Sequence, residues 1–344
     1  MRVPLGAMTD RYGGRRVFTV LLAYLPLPLI ALALGHESFG AVLAFGFMLG
    51  FAGASFAVGV PFVSAWFPPE RQGFALGVYG VGMGGTVVGG LTAPTIADEW
   101  GLEAPFWIAA GLVAAMTVVF VVVARDAPRT APPASGGLRH AFFVPLLLLR
   151  ESGRARALTL FYFLSFGGFV AMFLYLPKLL TSVHELTKAD AGARAAGFAL
   201  LAVIGRPLGG WLADRFGAER VLRASFAGTG AMALLLAATY EYMVPLTIAC
   251  LSLALLLGVG TGAVFKLVPH WFPDRVGSVT GVVGAAGGLG GFFPPLVMAV
   301  VFETTGGYAL GFILMAIVAA ACLVVLTAVH RVSTPTPDRE AIPA

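Results

Sequence analysis

The chain has 344 residues, of which 58% are hydrophobic and only 11% are charged, and its mean hydropathy is +0.90. This composition excludes a water-soluble globular domain and indicates several membrane-spanning helices. The formal net charge of +5 comes from arginines in short loops, so it gives no support for nucleic-acid binding.

Apolar stretches long enough to cross about 30 Å of hydrocarbon as helices recur along the whole chain. There are ten, at residues 17–36, 39–64, 74–96, 104–124, 158–180, 192–213, 220–239, 243–266, 277–301 and 308–329. Residues 1–8 are too short to cross, and they lack the charged start and cleavage site of a signal peptide. We therefore predict an all-α polytopic membrane protein that starts with the end of an interrupted helix.

Basic residues are divided unequally between the two sides of the predicted membrane. If the spans alternate, nearly all loop arginines fall on one side, and only Lys178, Lys188 and Arg194 fall on the other. The positive-inside rule makes the arginine-rich side cytoplasmic. We expect a multi-pass protein of the inner (cytoplasmic) membrane, with its linker and C-terminus in the cytoplasm.

A stretch rich in proline, glycine, serine and arginine interrupts the pattern at residues 125–157. It predicts an N-terminal helical half at 1–124, a cytoplasmic linker at 125–157, a C-terminal helical half at 158–330 and a disordered tail at 331–344. Within the linker, the apolar segment 141–149 is too short to span and is expected to lie along the inner membrane surface.

Signals for catalysis are weak. Cys250 and Cys322 lie in apolar spans without metal-ligand spacing, so neither a metal nor a disulfide is predicted. The string GVGMGG from Gly80 fits a dinucleotide-binding fingerprint, but it lies inside a span with no strand before it. We expect no catalytic residues, no cofactor and no enzymatic activity.

Two copies of one motif lie 204 residues apart. The first reads RVPLGAMTDRYGGRR from Arg2 and the second reads RPLGGWLADRFGAER from Arg206. In each copy the arginine precedes an Asp-Arg pair by eight residues, which is an internal repeat. Each arginine lies about two helical turns inside apolar sequence, where an unpaired charge costs roughly 2.5 to 3.5 kcal/mol. A charge kept there twice suggests a buried anion.

The repeat extends to a second motif, because WFPPERQG recurs as WFPDRVG. The offset of 204 pairs Arg71 with Arg275, Gly73 with Gly277, Gly77 with Gly281, Gly80 with Gly284 and Gly84 with Gly288. Two parallel halves joined by a cytoplasmic linker are typical of a pseudosymmetric transporter, whose site lies near the midplane between the halves.

The loop motifs GAMTDRYGGRR and GWLADRFGAER resemble the signature that follows helices 2 and 8 of the major facilitator superfamily. The strings GVYGVGMGGTVVGGLTAP, GTGAVFKLVPHWFP and GSVTGVVGAAGGLGGFFPP resemble its nitrate/nitrite porter family over nearly the whole chain, although Met83 stands where members often carry asparagine. The resemblance implies the major facilitator fold, with two six-helix halves and with helix 1 and most of helix 2 absent from this chain. It also implies nitrate or nitrite transport by alternating access.

The resemblance assigns an anion site by position. Arg2 and Arg206 would hold the anion, whereas Tyr162, Phe166 and Phe56 would touch or cover it. Backbone beside the anion would come from Gly82, Gly287 and Gly288. Simple helix packing is the alternative for the aromatic residues and the glycines.

The Asp-Arg pairs of the repeat are candidate gating residues. Asp10 with Arg11, and Asp214 with Arg215, would pair with neighbouring helix ends and latch the outward-open state. Solvated loop charges are the alternative.

Nitrate is a planar monoanion that suits the donor fork of a guanidinium. Two guanidiniums about 7 Å apart repel by roughly 2 to 3 kcal/mol at an effective dielectric near 20, so an empty carrier would resist closing. This favours nitrate/nitrite exchange. Proton symport needs a titrating group, and Lys266 is the candidate, with snorkelling to the interface as the alternative.

The expected partners are nitrate, nitrite and the lipid bilayer, with no nucleic acid and a monomeric state. Two other functions stay open: a facilitator for other small organic anions or drugs, and a transporter-like sensor or non-transporting fragment.

Overall fold

The computed structural model describes residues 1–128 and 147–333, and in these ranges the chain forms only helices and turns. Ten of the helices are long and apolar enough to cross a membrane, which confirms the predicted polytopic class. We number the helices in chain order as α1 Arg2–Tyr12, α2 Gly14–Gly35, α3 Phe39–Ser64, α4 Pro69–Trp100, α5 Ala104–Val123, α6 Gly153–Val183, α7 Lys188–Phe216, α8 Ala218–Thr239, α9 Met243–Trp271, α10 Pro273–Thr305 and α11 Ala309–Ser333. Most of the predicted surface segment 141–149 and of the tail 331–344 lies outside the described residues.

Several helices begin before the apolar stretch that predicts them. Helix α6 starts at Gly153, inside the segment predicted as linker, where the Ser152 hydroxyl accepts a hydrogen bond from the Ala155 amide at 3.3 Å. A side-chain cap of this kind satisfies an amide that the first helical turn leaves unpaired. Hydropathy marks the part of a helix in hydrocarbon, whereas the helix itself continues to its cap.

The two membrane faces of the protein can be told apart by the linker. The Arg15 amide donates to Asp126 at 2.8 Å, and the Arg15 guanidinium donates to the Val121 carbonyl at 2.9 Å. These bonds fix the start of α2 beside the end of α5, where the linker begins. We call this face the linker side and the opposite face the distal side.

The two halves meet along two crossings, α1 with α10 and α4 with α7. A Cβ atom on Gly77 would lie 2.6 Å from the Arg206 carbonyl oxygen, and one on Gly281 would lie 2.6 Å from the Arg2 carbonyl oxygen. Glycine is needed at both places because the helix backbones touch. Since the repeat pairs these two glycines and these two arginines, the crossings are related by the pseudosymmetry of the sequence.

One transmembrane helix is locally underwound. Helix α6 contains a π-helical turn at Phe163–Gly167, a rare geometry that often marks a functional position. The turn lies directly on α10, because a Cβ atom on Gly167 would be 2.5 Å from Gly290 Cα. This packing fixes the position of Phe166 along the helix axis relative to α10. Phe166 is the aromatic residue at the centre of the candidate site.

Candidate functional site: two arginines around one aromatic ring

Arg206 is a buried cation in the middle of α7. Only 1% of its surface is exposed, and its Nη1 atom donates to the Gly80 carbonyl at 3.0 Å. Its Nε atom is buried without a hydrogen-bond partner among the described residues. A buried donor without an acceptor loses its hydration without compensation, so this guanidinium has the capacity to bind a further acceptor.

Arg2 occupies the equivalent place in the other half. Its Nη1 atom donates to the carbonyl of Gly284, the residue that the repeat pairs with Gly80. Small residues leave room around the guanidinium, since a Cβ atom on Gly53 would lie 3.1 Å from Nη2 and one on Gly288 would lie 3.7 Å from Nη1. Each arginine is therefore anchored to the crossing helix of the opposite half.

Both guanidiniums lie over the ring of Phe166. Their Cζ atoms are 5.8 Å (Arg2) and 5.7 Å (Arg206) from its centroid, so they are about 12 Å apart or less. Contacts of this type contribute about 0.5 to 2 kcal/mol each. Within the described chain, no carboxylate forms an ion pair with either arginine. The site thus concentrates two positive charges that lack a counter-ion.

Aromatic residues form the linker-side wall of this site. The ring of Tyr162 stacks on Phe166 with centroids 5.0 Å apart and planes 1° apart. Tyr162 also contacts Phe265 at 5.0 Å, and Phe265 stacks on Phe56 at 5.3 Å. Gly287 lies against the rings of Tyr162 and Phe166. The structure therefore brings all three predicted aromatic residues into one continuous cluster.

Three members of the cluster are not predicted from the sequence. Phe265 joins Phe56 to Tyr162, Tyr79 packs on Phe56 at 5.0 Å, and Phe169 lies under the Arg206 guanidinium at 5.4 Å. A phenylalanine in an apolar span has no sequence signal that distinguishes it from core packing. The one sequence feature that could have pointed to Phe265 is its place in GTGAVFKLVPHWFP, one of the strings that carry the family resemblance.

The three predicted glycines differ in their surroundings. Gly287 and Gly288 lie beside Tyr162 and Arg2, respectively. Gly82 lies in a 3₁₀ turn at Val81–Gly84, is exposed, and would have no atom within 4 Å of an added Cβ. Gly82 thus borders open space, and none of the contacts described above places it against a guanidinium.

Two aspartates connect the halves at the linker side. Asp10 of α1 accepts hydrogen bonds from the amides of Gly277 at 2.7 Å and Ser278 at 2.8 Å, and from the Ser278 hydroxyl at 2.7 Å. Asp214 of α7 accepts from the amides of Gly73 at 3.0 Å and Phe74 at 2.7 Å. Each carboxylate caps the start of the α-helical part of a helix in the opposite half, just after its 3₁₀ turn, where it also interacts favourably with the helix dipole.

Lys266 belongs to the second of these contacts. Its Nζ atom lies 2.6 Å from Asp214 Oδ1 and donates to the Pro69 carbonyl in the other half. Both charged side chains are largely buried, at 13% and 8% exposure. Asp214 is eight residues from Arg206, about 12 Å of helix rise. The Lys266 ammonium therefore belongs to the linker-side contact of Asp214 and not to the site of the two arginines.

The other two gating candidates make aromatic contacts. Arg11 lies 5.1 Å over the Tyr12 ring, and Arg215 lies 5.5 Å over Trp211 and 5.4 Å over Phe216. The hydrogen bonds described above between the halves at the linker side are made by the two aspartates and by Lys266.

The sequence of the chain matches a known family of membrane transporters. The sequence profile of the Major Facilitator Superfamily matches residues 1–193 and 179–344. The chain is 41% identical to the "Probable nitrate/nitrite transporter NarK2" of Mycobacterium tuberculosis over 96% of this chain and 83% of that protein. It is 37% identical to the "Nitrite extrusion protein" of Bacillus subtilis over 95% of this chain and 80% of that protein. The chain belongs to the nitrate/nitrite porter family of the Major Facilitator Superfamily.

Solved structures agree on the fold. The human organic anion transporter MFSD10 (TETRAN) superposes with a TM-score of 0.80 at 21% identity, covering 94% of this chain and 80% of that one. FucP in its outward conformation superposes with a TM-score of 0.77 at 17% identity, covering 97% of this chain and 86% of that one. These structures show the major facilitator fold, and the family match and the relatives named above make the porter a multi-pass membrane transporter rather than an enzyme.

Proposed function

We propose that this porter moves nitrate and nitrite across the membrane by alternating access, in exchange for one another. The observation that supports this most directly is the placement of Arg2 and Arg206 around one aromatic ring, with an unpaired donor on Arg206. The names of the relatives at 41% and 37% identity specify nitrate and nitrite among possible anions.

The arginine pair explains why the anion would be required for transport. At separations of about 7 to 12 Å, two unit charges repel by roughly 1.4 to 2.4 kcal/mol at an effective dielectric near 20. One arginine belongs to each half, so any closure that brings them nearer increases this repulsion. A bound monoanion offsets it, and the halves then occlude and reopen on the other side.

The linker-side contacts correspond to one end of this cycle. Asp10 and Asp214 hold α1 to α10 and α7 to α4, so the halves are joined at the linker side. We assign this side to the cytoplasm because it carries the loop arginines. The contacts of Asp10, Asp214 and Lys266 would then latch the outward-open state and break on inward opening. Since one chain supplies both arginines, a monomer is sufficient for this cycle.

Exchange is favoured over proton symport by the location of the ionisable groups. The two carboxylates of the repeated motif, Asp10 and Asp214, are engaged at the linker side. Lys266, the other candidate for proton coupling, is paired with Asp214 rather than facing the arginines. An anion-for-anion cycle requires no titrating group at the site.

Counterflow measures the proposed activity. The purified porter is reconstituted in vesicles loaded with nitrite, and uptake of labelled nitrate is followed with and without a proton gradient. Exchange predicts uptake that depends on internal nitrite and is unaffected when the proton gradient is collapsed. Uptake into empty vesicles driven by the gradient would show symport instead, and strong competition by larger organic anions would show a broader facilitator.

A further inference from the structure

Helices α6, α10 and α11 enclose a second cavity that the anion site does not use. It has a volume of about 220 Å³, and nearly all of its lining is apolar. Inside it lie Ala171, Met172 and Phe312, which are buried, whereas Phe293 (51% exposed) and Leu314 (38% exposed) form its rim. Because the exposed rim residues lie on apolar spanning helices, the cavity opens toward the hydrocarbon of the bilayer and not toward water.

The cavity is long and runs parallel to the helix axis. Along α6 its lining reaches from Phe163 to Tyr175, twelve residues or about 18 Å of helix rise. One leaflet of a bilayer provides about 15 Å of hydrocarbon. A cleft with these dimensions, apolar lining and lateral opening fits a single acyl chain lying along α6.

Polar and charged groups gather at the distal end of the cleft. The Tyr175 hydroxyl is buried, and no hydrogen bond of ordinary geometry reaches it among the described residues. Its ring packs edge-on against Tyr308, whose hydroxyl is bonded to Ser182 at 2.8 Å. The Lys178 ammonium lies 5.9 Å from the Tyr175 ring, and Glu303 is within electrostatic reach of the same hydroxyl. These groups offer a donor for an ester carbonyl, a cation for a phosphate and an anion for a headgroup cation.

We propose that this cleft is a binding site for one phospholipid, with an acyl chain between α6, α10 and α11 and the phosphate beside Lys178. The presence of Glu303 within electrostatic reach of the Tyr175 hydroxyl favours a zwitterionic headgroup over one with net negative charge. The buried Tyr175 hydroxyl distinguishes this site from the rest of the lipid-facing surface. A hydroxyl at membrane depth gains from a hydrogen-bond acceptor, whereas a purely apolar surface has no polar group to satisfy.

The linker-side end of the cleft lies on the back of the π-helical turn. Phe163, Leu164 and Gly168 line the cleft, and the same turn carries Phe166 between the two guanidiniums. An acyl chain in the cleft therefore supports the turn from behind. An effect of the lipid on transport, exerted through this turn, rests on the proposed anion function. Binding of the lipid does not depend on it.

Photocrosslinking tests the site in the full chain. The porter is reconstituted with a zwitterionic phosphatidylcholine that carries a diazirine near the end of one acyl chain, and the labelled residues are mapped by mass spectrometry. We expect labelling concentrated on Gly168, Met172 and Met315 of the cleft. Labelling spread equally over exposed positions such as Leu174 and Val324 would overturn the proposal.

Two variants make the result specific. Ala171→Phe fills the cleft and should reduce its labelling at least fivefold, whereas Leu174→Phe, on the lipid-facing surface of the same helix, should leave it unchanged. If Ala171→Phe does not fold, Lys178→Gln provides the test with Lys188→Gln as its control. Lys178→Gln should at least halve the labelling, and an unchanged value would contradict the phosphate assignment. Loss of labelling with normal nitrate counterflow would retain the lipid site and reject its effect on transport.

Discussion

Replacing Asp214 with asparagine should open the linker side. The carboxylate accepts amide hydrogen bonds from Gly73 and Phe74 and pairs with Lys266 at 2.6 Å. Asparagine keeps one acceptor oxygen but places an NH₂ group where the second amide donates, and it leaves the Lys266 ammonium unpaired. Hydrogen bonds to charged groups contribute about 1.5 to 3 kcal/mol, and breaking a largely buried ion pair costs up to about 3 to 5 kcal/mol. A net loss of about 3 kcal/mol would increase the opening equilibrium constant roughly 100-fold.

Single-molecule distances across the linker side measure this change. Arg16 and Arg220 are exposed, one in each half, and cysteines introduced there can be labelled selectively because Cys250 and Cys322 are buried. The longer-distance population should dominate in Asp214→Asn, and transport should slow. Nitrate affinity should change less than about threefold, because Arg206 lies about 12 Å along the helix from residue 214.

The matched control is Glu70→Gln, which removes one negative charge at an exposed position in the first turn of α4, the helix that Asp214 contacts from α7. It should leave the distance distribution unchanged. The latch mechanism is refuted if Asp214→Asn keeps the closed distance, or if its nitrate affinity collapses while the distance stays the same.

Three further variants test the packing, the aromatic wall and the lysine. Gly77→Ala should destabilise the joined halves by about 1 to 3 kcal/mol in thermal unfolding, because its Cβ atom would overlap the Arg206 carbonyl. The control Gly90→Ala, with open space around it, should be neutral. Equal effects of the two variants would count against the close crossing. Phe166→Leu removes the ring contacted by both guanidiniums and should weaken nitrate binding about 3- to 30-fold in calorimetry. The control Phe292→Leu, on the exposed surface, should leave the affinity unchanged. An unchanged nitrate affinity in Phe166→Leu would show that this ring does not contribute to the anion site. Lys266→Gln should slow counterflow without changing its independence of the proton gradient, and acquired or lost proton dependence would assign the lysine to coupling.

The sequence repeat predicted two pseudosymmetric halves with one arginine in each. The offset of 204 pairs Gly80 with Gly284, and the structure adds that the two arginines donate to the carbonyls of these paired glycines from opposite halves. The apolar stretches located all ten spans, since burial in hydrocarbon requires long uninterrupted apolar helices. Helix ends were less predictable, as at Gly153, because polar residues continue a helix beyond the hydrocarbon.

Features that depend on contacts between distant helices were not predictable in this way. Lys266 has no lysine equivalent in the N-terminal half, so the repeat gave no partner for it, and its pairing with Asp214 arises from the packing of α9 on α7. The π-helical turn at Phe163–Gly167 depends on how closely Gly290 approaches it. Neither feature has a periodic signal in the sequence.

Nitrate counterflow by Arg206→Gln measures whether the buried guanidinium holds the anion. The matched control is Arg194→Gln on the same helix, because Arg194 is exposed and paired with Asp190 four residues away. A guanidinium that donates two charge-assisted hydrogen bonds to nitrate contributes about 3 to 6 kcal/mol, so Arg206→Gln should weaken nitrate binding at least about 100-fold and abolish counterflow at ordinary nitrate concentrations. Arg194→Gln should retain the activity of the unmodified protein. Normal nitrate counterflow by a protein in which both Arg2 and Arg206 are replaced with glutamine would show that the two guanidiniums do not hold the anion.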